Sequence, residues 1–260
     1  MKINNNILQK CVIIISIFLV HSSILLSQNY NTTSDIDKKT YKAYLMNNII
    51  PWKKVVKIYE TKYNNSENNY QLLYELTKAQ YGLINSCVSN KDKETFKKYI
   101  EHIDKNIEKL LEHNNEWASV YALKAGIISF KMSFFPWKAV YYGPKQNEAI
   151  KNAIKYNKNE PLAWYQKGCS KYFSPEQYGG SYKDAIKYYK KAITLYKKHS
   201  NDLKYNWNYL NNYAWLGQAY EKMEKYEKAI SIYNKALNIE PKYRWVKQVL
   251  LPRAQKKLNK

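Results

Sequence analysis

From about Asp35 onward, apolar side chains recur at the i, i+3, i+4, i+7 spacing of one helix face, and polar residues fill the intervals. A first helix is expected from about Asp35 to Asn47. Pro51 then restarts the chain, and Trp52, Val55, Val56 and Tyr59 share a face. A long hairpin follows, Tyr70 to Val88 and Lys93 to His113, with Ser89, Asn90 and Lys91 as its turn. Phe96, Ile100, Ile103, Ile107, Leu110 and Leu111 form the buried side of the second helix; Glu94, Lys97, Lys98 and Glu101 alternate on the solvated side. Trp117 to Phe134 begins another pair, with Ala122, Ala125 and Gly126 supplying small residues where helices pack. Phe135-Pro136-Trp137 and Tyr141-Tyr142-Gly143-Pro144 each break helix, so the partner helix is expected to resume only near Lys145 and run to Tyr156. The aromatics of that connection are read as a plug on the end of a core.

The most regular stretch runs from Tyr213 to Pro241. Tyr213, Leu216, Gly217 and Tyr220 form one stripe of a helix, and Gly217 lets a partner approach where a side chain would hold it off. Ala229, Tyr233 and Ala236 form the facing stripe of a second helix, so the ring of Tyr233 can enter the space left by small residues. Pro241 ends that helix. These eight residues, in this order and at these offsets, resemble one tetratricopeptide repeat, with Tyr at two positions where that family has Trp and Phe. One such hairpin cannot bury its own apolar face, so further copies are expected. The resemblance implies an all-α fold, an α-solenoid of antiparallel helix pairs wound into a right-handed superhelix.

A second unit shows Trp164 and Gly168 on its first helix and Ala185, Tyr189 and Ala192 on its second. It is stretched in the hairpin turn, within Ser174 to Gly180, where Pro175 and Gly179-Gly180 force a loop and Ser181 with Asp184 suits a capping box. Tyr172, Pro175 and Gly179-Gly180 ahead of an Ala-rich helix are similar to an insertion in exported bacterial tetratricopeptide-repeat proteins of unassigned role. A second enlargement lies between units: the helix through Tyr196 is expected to run long, with Lys197 to Tyr205 looping out. Trp245 to Lys257 forms a last helix that caps the stack, with Pro252 as a kink or the start of a final turn. The chain thus divides into residues 35–160 with degenerate hairpins, 161–243 with recognisable repeats, and a capping helix at 244–260.

Composition changes this picture mainly through the N-terminus. Lys2 and Lys10 precede the apolar run from Val12 to Val20, and Leu25-Leu26-Ser27 suits cleavage before Gln28. Residues 1–27 are therefore expected to be a signal peptide and 28–34 a polar linker. An uncleaved anchor competes, because no charge occurs from Cys11 to Ser34, although His21, Ser22 and Ser23 interrupt the stretch. Either reading places the repeats outside the cytoplasm, periplasmic or extracellular. That weighs against nucleic acid as partner despite a formal charge of +22, whose lysines are spread over many helices. Weak attraction to an anionic membrane surface remains expected. Cys87 and Cys169 each fall inside a helix and are read as buried small residues before a bridge.

No Gly-rich phosphate loop, Gly-x-Ser-x-Gly, His-Glu-x-x-His or paired-cysteine spacing occurs. His102 and His113 lie three turns apart, too far to share a metal. No catalytic residue, metal ligand or cofactor is nominated, and the chain is not expected to be an enzyme. The resemblance implies a concave face, lined by first helices, that binds a protein or peptide. Its outward positions here are Tyr165, Gln166, Cys169, Tyr172, Asn211, Trp215 and Gln218. Tyr and Trp would anchor a partner and Asn or Gln bond its backbone, though each position is equally suited to packing on the next repeat. The alternative is a basic surface protein that docks anionic lipid or polysaccharide through its lysines.

Overall fold

A computed structural model of the chain describes residues 37–66, 68–199 and 203–259. The expected signal peptide and linker lie outside the described residues. The chain divides into two units, residues 1–39 and 40–260, and the tertiary contacts below all lie in the second. The described residues are helical or in turns. The helices are α1 (37–46), α2 (Ile49–Asn64), α3 (Tyr70–Asn90), α4 (Lys93–His113), α5 (Ala118–Phe134), α6 (Ala139–Tyr156), α7 (Pro161–Phe173), α8 (Tyr182–His199), α9 (Trp207–Lys222), α10 (Tyr226–Ile239) and α11 (Leu251–Leu258). Helix α3 packs on α4, α5 on α6, α7 on α8 and α9 on α10, while α2 lies against α3. This is an all-α solenoid of antiparallel helix pairs.

Side chains next to each start fix where several helices begin. Asn48, Asn69, Asp92, Ser181 and Asn206 each accept from a backbone N–H two or three residues on, at 2.8 to 3.1 Å. Such caps are worth about 1 kcal/mol each, because they satisfy donors the helix itself leaves free.

The hairpins are held by rings lying over glycines. A Cβ on Gly217 would stand 2.2 Å from the ring of Tyr233, and one on Gly168 would stand 2.6 Å from the ring of Tyr189. Both rings are fully buried, as are Ala229 and Ala236 beside Tyr233 and Ala185 and Ala192 beside Tyr189. The same device recurs upstream, where Trp52 of α2 lies over Gly82 of α3. The stretched turn after α7 is a 3-10 turn, Glu176–Tyr178. Gly179 is left-handed (φ +82°), and a Cβ on Gly180 would meet the Ser174 carbonyl oxygen at 1.8 Å. Helix α8 runs long, to His199, so residues 197–199, expected to loop out with those up to Tyr205, belong to the helix.

A further expectation needs correction. Helix α6 begins at Ala139, six residues before Lys145, because Pro136–Lys138 form a short 3-10 turn that leads directly into it. Pro144 sits inside α6, and the carbonyl it leaves without an N–H partner belongs to Val140, at a solvent-exposed position where water can serve it. At the C-terminus Pro252 starts a final turn, the second of its two expected roles: Val246–Leu250 form a π-turn, and Pro252 lies in the first turn of α11. The wider turn places the proline ring at a helix start, where its missing N–H costs nothing.

Substituting Tyr233→Ala should cost about 3 to 5 kcal/mol in urea unfolding, because a buried ring seated on a glycine leaves a cavity that rigid helices cannot close. Gly217→Ala should also destabilise, since its methyl must displace the same ring.

Candidate partner-binding surface

The inward stripes of α7 and α9 carry the residues singled out from the sequence, and most of them prove to be interior. Tyr165, Gln166, Cys169, Asn211 and Gln218 are buried. The Asn211 amide donates to the Tyr165 hydroxyl at 2.8 Å, and the Tyr44 hydroxyl of α1 donates to Asn211 Oδ1 at 2.9 Å. Tyr44 is also hydrogen-bonded to the hydroxyl of Tyr243, beyond α10. Gln166 Nε2 donates to the Tyr81 hydroxyl of α3 at 3.0 Å, and Tyr189 donates to Cys169 Sγ at 3.5 Å. Trp207 sits at the centre, its ring 5.2 Å from Tyr44, 5.7 Å from Trp52 and 5.7 Å from Tyr81. Helices α1, α2 and α3 therefore cover the stripe that the sequence alone leaves open; Tyr165, Gln166, Cys169 and Asn211 hold the body together from inside, and Gln218 is buried with its amide nitrogen unpartnered. Sequence reasoning missed Tyr44, Tyr81 and Trp207, because each is joined to its partners by contacts remote in the chain.

Burial governs the ionisation of this interior. It holds the hydroxyls of Tyr44, Tyr165 and Tyr189 well above the usual tyrosine range. It also pushes the Cys169 thiol up to about 11 and the Cys87 thiol up to about 12. Both cysteines are free. Beside this interior a recess of about 320 Å³ is lined by Tyr74, Lys78, Ser119, Glu160, Tyr196 and Trp207, among others. Its ionic groups are already engaged: Ser119 donates to Glu160, and Lys78 to Glu75 at 2.8 Å. Among the described residues, no group of three His, Cys, Asp or Glu side chains is placed to hold a metal ion.

Tyr172 and Trp215 differ from the other five, because both stay half-buried. They belong to a ladder of rings across successive first-helix positions. Trp215 of α9 lies 5.4 Å from Tyr172 and 5.0 Å from Phe173 at the end of α7, and 5.8 Å from Trp245 on the far side. Tyr182, at the start of α8, lies 5.5 Å from Tyr172. The rings meet edge to face at 63 to 70°, an arrangement that favours mutual attraction over slippage. Phe173 is 61% exposed, and Tyr178 of the inserted loop 73%. The loop is tied back to α7 by Lys171, whose Nζ donates to the Gly179 carbonyl at 2.6 Å, and by the Ser181 N–H, which donates to the Lys171 carbonyl at 2.8 Å.

A buried carboxylate joins this edge to the terminal helix. Glu221 of α9 accepts from Tyr233 at 2.5 Å and from both Nε and Nη2 of Arg253 at 3.0 and 2.8 Å. The two-pronged bond to Glu221 holds the Arg253 guanidinium above its ordinary value. Tyr172 lies near enough to feel both charges, and burial pushes its hydroxyl up to about 12.

Antiparallel helix pairs, two of them locked by rings on small residues, with an aromatic edge along the first helices, define an α-solenoid. In this chain, residues 178–199 and 210–243 match the family model described as the tetratricopeptide repeat. None of the curated proteins compared matches it. Among solved structures it is similar to the HusA haemophore from Porphyromonas gingivalis, at 13% identity and a TM-score of 0.59, over 73% of this chain and 93% of that one. It is also similar to TTC0263, a thermophilic TPR protein of Thermus thermophilus, at 15% identity and a TM-score of 0.56, over 87% of this chain and 99% of that one. At these identities the likeness is one of fold.

Arg253→Met should destabilise the chain by about 3 kcal/mol, because it strands the buried Glu221 carboxylate, and a further Glu221→Gln change should recover part of the loss. Neither Cys87 nor Cys169 should react with a thiol reagent at neutral pH until the chain unfolds. A thiol whose pKa is raised on folding contributes stability below its unfolded value of about 9, lost as pH rises towards the folded value. Stability should therefore fall between about pH 9 and pH 11, as urea midpoints across that range would show.

Proposed function

We propose that the chain is an exported, non-catalytic adaptor that holds a protein or peptide partner against the ladder of Tyr172, Phe173, Trp215 and Trp245. Tetratricopeptide repeats serve as protein-interaction scaffolds, which sets the class of function. The observation that carries the rest is the contrast along one stripe. Its upper part is sealed by hydrogen bonds to α1 and α3, whereas its lower part leaves four linked rings half-covered or exposed.

Rings of this kind offer large contact area at little conformational cost, since two torsions fix each one and their neighbours already fix those. The fitting partner is an extended segment whose apolar or aromatic side chains lie against the exposed faces of Phe173 and Trp215. Export rests on the sequence of residues 1–27, with its basic start, apolar middle and small-residue end.

The test is a pull-down from cell-envelope extract with Gln28–Lys260, washed at low and high salt, beside a Tyr172→Ala, Trp215→Ala variant of matched helical content. A protein retained at high salt by the parent and lost by the variant is the expected result. Recovery of anionic lipid or glycan alone, released by salt and unaffected by the variant, overturns the proposal.

A further inference from the structure

The α5–α6 connection presents a helical stripe pointing the wrong way for a core. Trp137, Val140, Tyr141 and Pro144 stand at i, i+3, i+4 and i+7, the spacing that elsewhere in this chain marks a buried face. Here all four are exposed, Trp137 at 68%, Val140 at 82% and Tyr141 at 59%. The expectation that these aromatics plug a core end holds for Phe135, beside its neighbour Phe134, and fails for Trp137 and Tyr141. Phe134 packs 4.4 Å from Phe96 and Phe135 6.3 Å from it, which anchors the turn and holds the stripe outward.

The rim of the stripe is basic. Lys93 lies 4.9 Å from the Phe135 ring and 5.8 Å from the Trp137 ring; Lys138 lies 5.7 Å from Phe135, and Lys145 3.8 Å from Tyr141. No Asp or Glu occurs between Glu116 and Glu148, whereas Lys124, Lys131, Lys138 and Lys145 do. Lys131 is engaged by Asp104 at 2.6 Å, and Glu94 is the exposed carboxylate next to Lys93. The local field is therefore positive around an apolar centre.

We infer that this stripe is a docking surface for an anionic phospholipid bilayer. Trp137 and Tyr141 suit the headgroup level, Val140 suits the acyl boundary beneath it, and the three rim lysines reach anionic phosphates with their stems along the rings. A second copy of the chain fits poorly, because a twofold contact would set Lys93, Lys138 and Lys145 against their own counterparts, over four side chains where stable pairs use about 20 residues a side. A glycan would be served by the rings and the charge but gives no use to an exposed valine. This surface does not overlap the aromatic ladder, so the inference is independent of the adaptor reading.

The test is co-sedimentation of Gln28–Lys260 with vesicles of phosphatidylcholine alone or mixed with phosphatidylglycerol, at low and high salt. Binding to the mixed vesicles at low salt, weakened by salt, is expected. Trp137→Ala with Val140→Asp should weaken it by about tenfold or more, as should Lys138→Glu with Lys145→Glu. Lys228→Glu with Lys235→Glu makes the same charge change on the exposed side of α10 and should alter binding by less than about threefold. All four substituted positions on the connection are exposed, so circular dichroism is expected to match the parent. Absence of binding to mixed vesicles, equal binding to neutral ones, an unaffected Trp137/Val140 variant, or an equal loss from the α10 reversal would each overturn the inference.

Discussion

Contact between a flat ring and a bare glycine sets the spacing of the solenoid. Where Tyr233 lies over Gly217 and Tyr189 over Gly168, no methyl group intervenes, and the two helices of a pair come as close as their backbones allow. Dispersion falls steeply with distance, so the same ring held off by a Cβ would lose much of its attraction on every contact at once. The flanking alanines complete the seat, leaving each tyrosine one place to go. With these two hairpins fixed this way, each presents a rigid surface to its neighbour, and their register in the stack follows from the register within each pair.

That rigidity determines what happens on the inner side. First helices brought together at fixed spacing aim Tyr81, Gln166, Tyr165 and Asn211 at one another, and burying such groups is tolerable only if they pair. They do so in short links, hydroxyl to amide and amide to hydroxyl, with Trp207 filling the middle. Polar side chains that on an open groove would meet a partner's backbone here act as internal fasteners. The rings below them carry only a tyrosine hydroxyl and two indole N–H groups, which water can reach, and so remain half-wet at little cost.

The repeat itself was legible because its signal is local. Gly217, Tyr233 and their companions announce the lock by spacing alone, and the capping role of Ser181, the stretched loop to Gly180 and the long α8 could be read the same way. What escaped depended on distance along the chain. Nothing near Asn211 or Gln166 reveals that Tyr44, 167 residues away, or Tyr81, 85 residues away, covers them. An outward position in a repeat and an inward one in a closed stack have the same periodicity. Trp137 and Tyr141 misled in the opposite sense, since aromatics in a connection look the same in sequence whether they plug a core or face solvent. Pro144 was read as a break because the chain gives no hint that one carbonyl can turn to water.

The bond between Tyr44 and Tyr243 joins residues 199 apart in the chain, and so ties the first helix to the connection after the last regular pair. Open repeat stacks melt gradually, since each unit answers only to its neighbours and the ends can fray while the middle persists. A stack whose two ends are fastened to each other has no end from which to fray. Loosening α1 takes a hydrogen-bond partner from Asn211 and Tyr243 together, so a disturbance at the first helix reaches the terminal repeat directly.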